Sequence, residues 1–271
     1  MLFVCKQVDK TLPIAGVLLG FFAAFWPLVA WYTRRLADGG DEPLGLIILI
    51  ILAGIIFRDK NNLTYSPNKL SLSAAGICFA VYILSTFWLP PMLRCVPAIF
   101  CIVFYFGWEK HPGWLALLLL SLPVVTSLQF YLGYPLRLIS AETTRWLVWP
   151  FVQEISREGT TLIAYNKIVG VDPPCSGVKT LWIGLVVTNI IASIVRMRWW
   201  RAIAFNLLAI GLLLLTNSIR AALLFAPESG VLEIPELLHS GIGIICYFVA
   251  VMILVRVATL NSGSTQKRTI S

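Results

Sequence analysis

Three residues in the C-terminal half of the chain have side chains suited to acyl transfer. Cys175 lies in a polar loop just before an apolar run, where cations and a helix N-terminus favour the nucleophilic thiolate. The imidazole of His239 can accept the thiol proton and return it to a leaving amine. The guanidinium of Arg220, inside an apolar stretch, can stabilise an oxyanion. Taken singly, each has an ordinary explanation: an incidental loop cysteine, an arginine reaching the membrane interface and a histidine joining two helices.

The elements that must position these residues are membrane spans. Of the 271 residues, 58% are hydrophobic and 13% are charged, whereas soluble domains carry about 25% charged residues. The apolar residues form long runs, so a lipid bilayer is the expected solvent. We predict an all-α polytopic membrane protein of about eight transmembrane helices. Their ranges are Leu12–Tyr32, Leu44–Phe57, Leu70–Leu89, Cys95–Trp108, Gly113–Phe130, Val178–Val195, Ala202–Phe225 and Leu237–Val257.

Three of these spans call for comment because of their length. The second and fourth, Leu44–Phe57 and Cys95–Trp108, are shorter than the ~20 residues of an upright crossing, which leaves re-entrant segments as an alternative. The first, Leu12–Tyr32, is too long for the apolar region of a signal peptide and lacks a cleavage site. We therefore expect it to remain as a span.

The longest segment outside the spans is predicted to form a small extracytoplasmic unit. Leu136–Val152 mixes basic and aromatic residues in a way that is typical of an interfacial helix. A turn over Ser156–Gly159 would lead into a short hairpin with strands Thr160–Tyr165 and Ile168–Val171. The predicted organisation is transmembrane helices in 1–130, this loop in 131–177, the catalytic helices in 178–260 and a disordered cytoplasmic tail in 261–271.

The net charge of +8 indicates an orientation in the membrane. With a cytoplasmic N-terminus and eight crossings, twelve Lys or Arg and three Asp or Glu face inward, and nine and ten face outward. The strongest single indicator is the loop at 196–201, which holds three arginines. Both termini would be cytoplasmic, and the three candidate residues would share one depth near the outer surface. Cytoplasmic loops explain the basic excess, so nucleic-acid binding is not expected.

The candidate residues also lie within short motifs, in order along the chain. These motifs resemble the C-S-G, N-x-x-R and H-x-x-x-G motifs of the exosortase/archaeosortase family. They read Cys175-Ser176-Gly177, Asn217-Ser218-Ile219-Arg220 and His239-Ser240-Gly241-Ile242-Gly243. Arg157-Glu158-Gly159 resembles the family's lead-in to the cysteine. The resemblance extends from Glu154 to Val257, and Pro173-Pro174 departs from the small residue that many members carry before the cysteine.

The resemblance implies a membrane cysteine protease and transpeptidase of the bacterial cytoplasmic membrane, with its active site on the extracytoplasmic face. Such proteins are thought to cleave C-terminal sorting signals made of a short motif such as Pro-Glu-Pro, a transmembrane helix and a basic tail. Cys175 would be the nucleophile, His239 the base and acid, and Arg220 the transition-state stabiliser. Supporting groups would be Ser176, Gly177, Asn217 and Ser218. The implied partners are membrane-anchored substrates, the lipid bilayer and an unidentified acceptor from the envelope or exopolysaccharide.

Other classes of protein remain as alternatives. A transporter or flippase of lipid-linked glycans would carry charges or broken helices in mid-bundle, whereas here the special polar residues cluster at one end. A non-catalytic envelope scaffold would use Arg220 and His239 to pair helices. Hydrolysis with water as the acceptor stays open within the enzyme class. We expect no metal or organic cofactor, because no HExxH is present and no cluster has ligand spacing.

Overall fold

The structure is a computed structural model that describes residues 11–37, 44–59, 68–152, 154–164, 167–170, 176–228 and 235–267. Within these ranges the chain is mainly helical, as its long apolar runs predict, and ten α-helices follow one another. They are α1 (Thr11–Ala24), α2 (Trp26–Ala37), α3 (Leu44–Asp59), α4 (Lys69–Ser85), α5 (Pro91–Tyr105), α6 (Pro112–Leu120), α7 (Val125–Val148), α8 (Val178–Ile194), α9 (Trp199–Glu228) and α10 (Glu236–Lys267).

Two of the predicted spans are broken near proline residues. The first divides into α1 and α2 at Phe25, two residues before Pro27, which lacks an N–H and crowds the preceding helical turn. The fifth divides into α6, which ends before Pro123, and α7. The axes of these two helices differ by 93°. The predicted interfacial helix is therefore not a separate element, because Leu136–Val148 forms the second half of the continuous helix α7.

The number of membrane crossings is the part of the fold prediction that the helix lengths only partly support. In the described ranges, two helices are long and apolar enough to cross alone, over Trp199–Phe225 in α9 and Gly241–Leu260 in α10. The bent pair α6–α7 would add a third. The apolar helices α4, α5 and α8 have 15 to 17 residues, short of the ~20 of an upright span. A membrane protein is supported, and eight crossings remain a prediction.

The predicted hairpin is confirmed as the second and third strands of a three-stranded antiparallel sheet, to which the structure adds a first strand. The strands β1 (Ser156–Glu158), β2 (Thr161–Ala164) and β3 (Lys167–Gly170) pair in the order β1-β2-β3. The predicted turn over Ser156–Gly159 is wrong, because polar residues suit an edge strand as well as a turn and 156–158 pair with β2. The chain instead reverses at Gly159, whose φ of 61° suits glycine.

The sheet lies over one end of α7 and α9. Leu162 and Val169, opposite each other in β2 and β3, pack in one apolar cluster with Val148 of α7 and Phe225 of α9. On the polar side, the Arg157 Nε of β1 donates to Glu142 Oε2 of α7 at 2.6 Å. The sheet is therefore attached to the same end of α9 that carries Arg220.

The last three helices, α8, α9 and α10, form a tightly packed bundle. Small residues let the helices approach closely, since Ala209 and Ala250 are buried beside Leu213 and Leu254. Asn189 of α8 and Asn206 of α9 exchange amide hydrogen bonds of 2.9 and 3.2 Å. This packing of three helices fixes the position of each C-terminal motif along the axis of the bundle.

The predicted sixth, seventh and eighth spans correspond to α8, α9 and α10, with longer ends for the last two. α9 extends from Trp199 to Glu228, and α10 begins at Glu236. α10 also continues through Lys267, into the segment 261–271 that the sequence analysis expects to be disordered. The residues from 268 onward lie outside the described part of the chain.

Candidate functional site

The first motif marks the start of α8. The predicted nucleophile Cys175 lies outside the described residues, and the described chain resumes at Ser176. Ser176 is buried, and its Oγ donates to Gln129 Oε1 of α7 at 3.0 Å. Gly177 precedes α8 with a φ of 76°. Together these residues attach the beginning of α8 to α7, directly after the predicted nucleophile.

A close contact joins the first motif to the second. A Cβ added to Gly177 would lie 2.8 Å from Asn217 Cγ, closer than side chains approach in proteins. Asn217 is buried, and its Nδ2 donates to Ser140 Oγ of α7 at 3.0 Å. The absence of a side chain at Gly177, as well as its left-handed backbone, is therefore needed for α8 to begin against Asn217.

Ser218, the fourth supporting residue, connects two helices. It is 1% exposed, and its Oγ donates to Leu214 O of the same helix at 3.1 Å. Its carbonyl accepts a hydrogen bond of 3.3 Å from Thr144 Oγ1 of α7. Ser218 thus lies in the α7–α9 interface and not among the residues that line the cavity beside Arg220.

Arg220 is held against α10 with unused hydrogen-bonding capacity. Its Nε is buried and has no hydrogen-bond partner in the described part of the chain. A Cβ added to Gly243 would lie 3.0 Å from that Nε and 3.8 Å from Cζ, so the guanidinium rests on the backbone of α10. A buried donor without a partner costs about 1–3 kcal/mol. A bound acceptor would remove that cost.

The third motif relates His239 to the contact between Arg220 and Gly243 through the geometry of the α-helix. His239 and Gly243 both belong to α10, and their spacing of four residues puts them on one face, a turn apart. The side chain of His239 lies outside the described part of the chain. The backbone alone therefore places the predicted base one turn from the residue on which Arg220 rests.

A cavity of about 440 Å³, the arginine groove, opens between α8, α9 and α10 beside Arg220. The residues that line it are Thr180, Ile183, Thr216, Asn217, Arg220, Gly243, Ile244, Cys246 and Tyr247. Arg220 Nε and Tyr247 OH are both buried without a hydrogen-bond partner among the described residues. The wall of the groove is mainly apolar, and two of its residues each have a buried polar atom that lacks a partner among the described residues, a setting suited to a peptide carbonyl or a carboxylate.

Gln129, Ser140 and Tyr247 belong to the site region but are not among the sequence-predicted residues. Gln129 and Ser140 hold Ser176 and Asn217 through side-chain hydrogen bonds. A polar residue among apolar neighbours is a signal for such a role, which Gln129 carries in the sequence. Tyr247 has no such signal, because a tyrosine in an apolar helix is ordinary. Among the described side chains, no three of His, Cys, Asp and Glu come together as metal ligands.

Comparisons with known proteins agree with the motifs. A protein-family model described as transmembrane exosortase matches residues 19–256. The match includes all three motifs and all ten α-helices, with α2 to α9 in full and α1 and α10 in part. No curated protein and no solved structure shows significant similarity to the chain.

Proposed function

Because the chain belongs to the transmembrane exosortase family, we propose that it is a cysteine peptidase and transpeptidase that cleaves C-terminal sorting signals of exported proteins. One observation carries the proposal: the three motifs are joined by direct contacts. Gly177 of the first packs on Asn217 of the second, and Arg220 of the second packs on Gly243 of the third. Contacts between motifs far apart in sequence are expected where they build one site.

The reaction would follow from the roles of the three side chains. The Cys175 thiolate attacks the scissile carbonyl, and His239 takes the thiol proton and passes it to the leaving amine. Arg220 donates to the oxyanion of the tetrahedral intermediate, which fits an Nε that has no partner among the described residues. The product is a thioester at Cys175. An acceptor nucleophile then displaces the cysteine, giving transfer, or water does so, giving hydrolysis.

The length of α9 supports an extracytoplasmic site. Arg220 follows Trp199, the first residue of α9, by twenty-one positions, and a rise of 1.5 Å per residue makes that about 30 Å. This is the thickness of the hydrocarbon core. With the arginine-rich turn before α9 on the cytoplasmic side, Arg220 would lie at the opposite boundary of the bacterial cytoplasmic membrane. An exported substrate, anchored by its own helix, presents its motif at that boundary.

The test is processing of a co-expressed reporter that ends in a short motif, a transmembrane helix and a basic tail. Cys175→Ala should abolish cleavage at matched membrane levels. Cys246→Ala is the matched control, because Cys246 is a free cysteine that lines the arginine groove. Cys175→Ser should also be inactive, since it keeps the shape and removes the soft nucleophile.

The outcomes separate the alternatives. Cleavage lost in Cys175→Ala and kept in Cys246→Ala supports the proposal. If Cys175→Ala cleaves as well as the wild type, Cys175 is not the nucleophile, and a transporter or scaffold becomes the better explanation. If Cys246→Ala alone abolishes cleavage, the nucleophile lies within the groove on α10. Mass spectrometry of the released product then distinguishes transfer from hydrolysis.

A further inference from the structure

A second cavity lies at the other end of the α8–α10 bundle and takes no part in the proposed reaction. This basic pocket has a volume of about 390 Å³ and lies between the α8–α9 turn, the start of α9 and residues Val257 and Ala258 of α10. Arg196, Arg198 and Arg201 line its mouth. Phe205, Leu208 and Val257 line its apolar part. A cationic mouth on an apolar recess suits an amphiphilic anion better than a simple one.

The turn that forms the mouth is held in one conformation by its backbone. Met197 N donates to Ala192 O at 2.9 Å, and Arg196 N donates to Ser193 O at 3.2 Å, which is the pattern of a Schellman motif. Arg196 takes the left-handed position of that motif, with a φ of 53°. Met197 is buried in the core of the bundle. The pocket is therefore preformed, and binding needs little ordering of the turn.

The arginines differ in how far their charges are already balanced. Arg196 Nη2 pairs with Asp59 Oδ1 of α3 at 2.9 Å, and Arg58 shares that carboxylate at 3.3 Å, so the charge of Arg196 is partly balanced. Arg198 is exposed and has no ion pair within the described ranges. The Arg201 guanidinium lies 5.1 Å from the centre of the Trp200 ring. The Trp200 side chain is 63% exposed. Arg198 thus leaves a positive charge at the mouth, beside a tryptophan of the kind that anchors at membrane interfaces.

The apolar part of the pocket continues along the helix that faces it. Val257 of α10 lines both the basic pocket and a shallow surface groove that extends to Phe248. Phe248 and Val249 are exposed by 62% and 51%, as expected of residues that face lipid. From Phe248 to Val257 is nine residues, or about 13 Å along the axis. An acyl chain can therefore extend from the mouth of the pocket toward the middle of the bilayer.

We propose that the basic pocket binds one anionic phospholipid, with its phosphate on Arg198 and Arg201 and an acyl chain along Leu208 and Val257. Basic pockets between helices at a membrane surface bind acidic headgroups in this way. α9 and α10, which form the walls, are the two helices long enough to cross the bilayer alone among those described. The headgroup would then bridge the ends of these two helices and strengthen the bundle that carries the candidate site.

The test is the thermal unfolding midpoint of the purified full chain in a neutral detergent. Phosphatidylglycerol should raise the midpoint in a saturable way, because a ligand that binds only the folded state stabilises it. Phosphatidylcholine, glycerol phosphate and inorganic phosphate should raise it little at equal concentration. The phosphatidylglycerol concentration that gives half of the maximal rise in midpoint should be about fivefold higher in Arg198→Gln, and in Arg201→Gln, than in the wild type.

The matched control is Lys69→Gln, which removes one positive charge at the start of α4, outside the pocket. It should respond to phosphatidylglycerol as the wild type does, and all variants should have similar midpoints without lipid. If Lys69→Gln loses affinity as strongly as Arg198→Gln, the lipid responds to general surface charge and the site is refuted. If inorganic phosphate protects as well as phosphatidylglycerol, the pocket is a phosphate site and the acyl chain has no part in it.

Discussion

The two ends of the α8–α10 bundle both carry arginine, but they accommodate its charge in opposite ways. At the α8–α9 turn Arg196 pairs with Asp59 at 2.9 Å, and Arg198 is exposed. At the other end the Arg220 Nε is buried, unpartnered among the described residues and packed on Gly243. A paired or exposed guanidinium is nearly neutral for stability, whereas a buried unpaired donor costs about 1–3 kcal/mol.

The difference indicates what each end is built for. A charge that is balanced within the protein or by water supports a structural or surface role, such as orientation in the membrane. A guanidinium whose buried Nε has no partner among the described residues leaves a hydrogen-bond donor available to an incoming acceptor. The arrangement around Arg220 is therefore better explained by an activity than by stability.

The comparison between the two ends fails if removing Arg198 and removing Arg220 have the same effect on the cleavage rate. Arg220→Ala should reduce reporter cleavage about 10²–10³-fold, the usual cost of losing an oxyanion donor. Arg220→Lys should recover part of the loss, because it keeps the charge without the planar donors. Arg198→Ala should cleave at the wild-type rate. The measurement is the initial rate of cleavage at equal membrane levels, and similar losses in Arg198→Ala and Arg220→Ala would contradict the assignment.

A smaller but more specific effect is expected from the surface on which Arg220 rests. Gly243→Ala places a Cβ 3.0 Å from Arg220 Nε, so the side chain must shift, and we expect about a tenfold lower rate or more. Gly241→Ala is the matched control, because a Cβ there meets nothing within 4 Å and alanine favours the helix.

The pair of variants separates a local from a general effect of alanine in α10. Reporter cleavage and the unfolding midpoint are measured on both. Gly243→Ala should keep a normal midpoint while losing activity, and Gly241→Ala should keep both. Full activity in Gly243→Ala would mean that the position of Arg220 does not matter for the reaction.

At the α8–α9 turn, replacing Arg196 should change the stability of the protein and leave its activity unchanged. Arg196→Ala loses the ion pair with Asp59 and leaves alanine in the left-handed conformation. Arg196→Gly loses the same ion pair but relieves a backbone cost of about 1 kcal/mol. The unfolding midpoint should therefore fall in Arg196→Ala and fall less in Arg196→Gly. An equal or larger fall in Arg196→Gly would show that the backbone of the turn is not strained.

The smallest expected effect is a dependence of that ion pair on pH. The hydrogen bond from Arg196 holds the pKa of Asp59 below its ordinary value. A lowered carboxyl pKa stabilises the fold above the unfolded-state pKa of about 4, and the contribution is lost as the pH falls through the folded-state pKa. The difference in midpoint between wild type and Asp59→Asn should be constant from about pH 7 to 5 and shrink below about pH 4. A difference that grows on acidification would contradict the assignment.

The helices that carry the motifs could be predicted from sequence, and their partners could not. The apolar runs of α8, α9 and α10 identify the elements, and the motifs identify Arg220 and His239 as candidates, with Gly243 at the end of the third motif. That the guanidinium rests on Gly243, and that Gly177 rests on Asn217, depends on how the helices pack. Hydropathy contains no information about which faces of three similar apolar helices meet.

The errors of prediction arise where two local signals compete. Apolar residues lie on both sides of Pro123, so the hydropathy predicts α6 and the first quarter of α7 as one span. The polar run of β1 favoured a turn when taken alone, but its pairing with β2 makes it a strand. In both cases the deciding contact is tertiary, because a bend or an edge strand is stabilised by what packs against it.

The amino-acid sequence establishes a membrane protein, the family and the identity of the candidate residues, because composition, apolar periodicity and motif spacing are properties of the chain itself. The packing of α8, α9 and α10 places the Arg220 Nε beside a groove without a partner among the described residues, whereas the packing of α3 against α8 gives Arg196 its partner Asp59. Both residues are arginines near the end of an apolar helix. Only the neighbours that the fold brings to each determine whether its charge is balanced or available to a substrate.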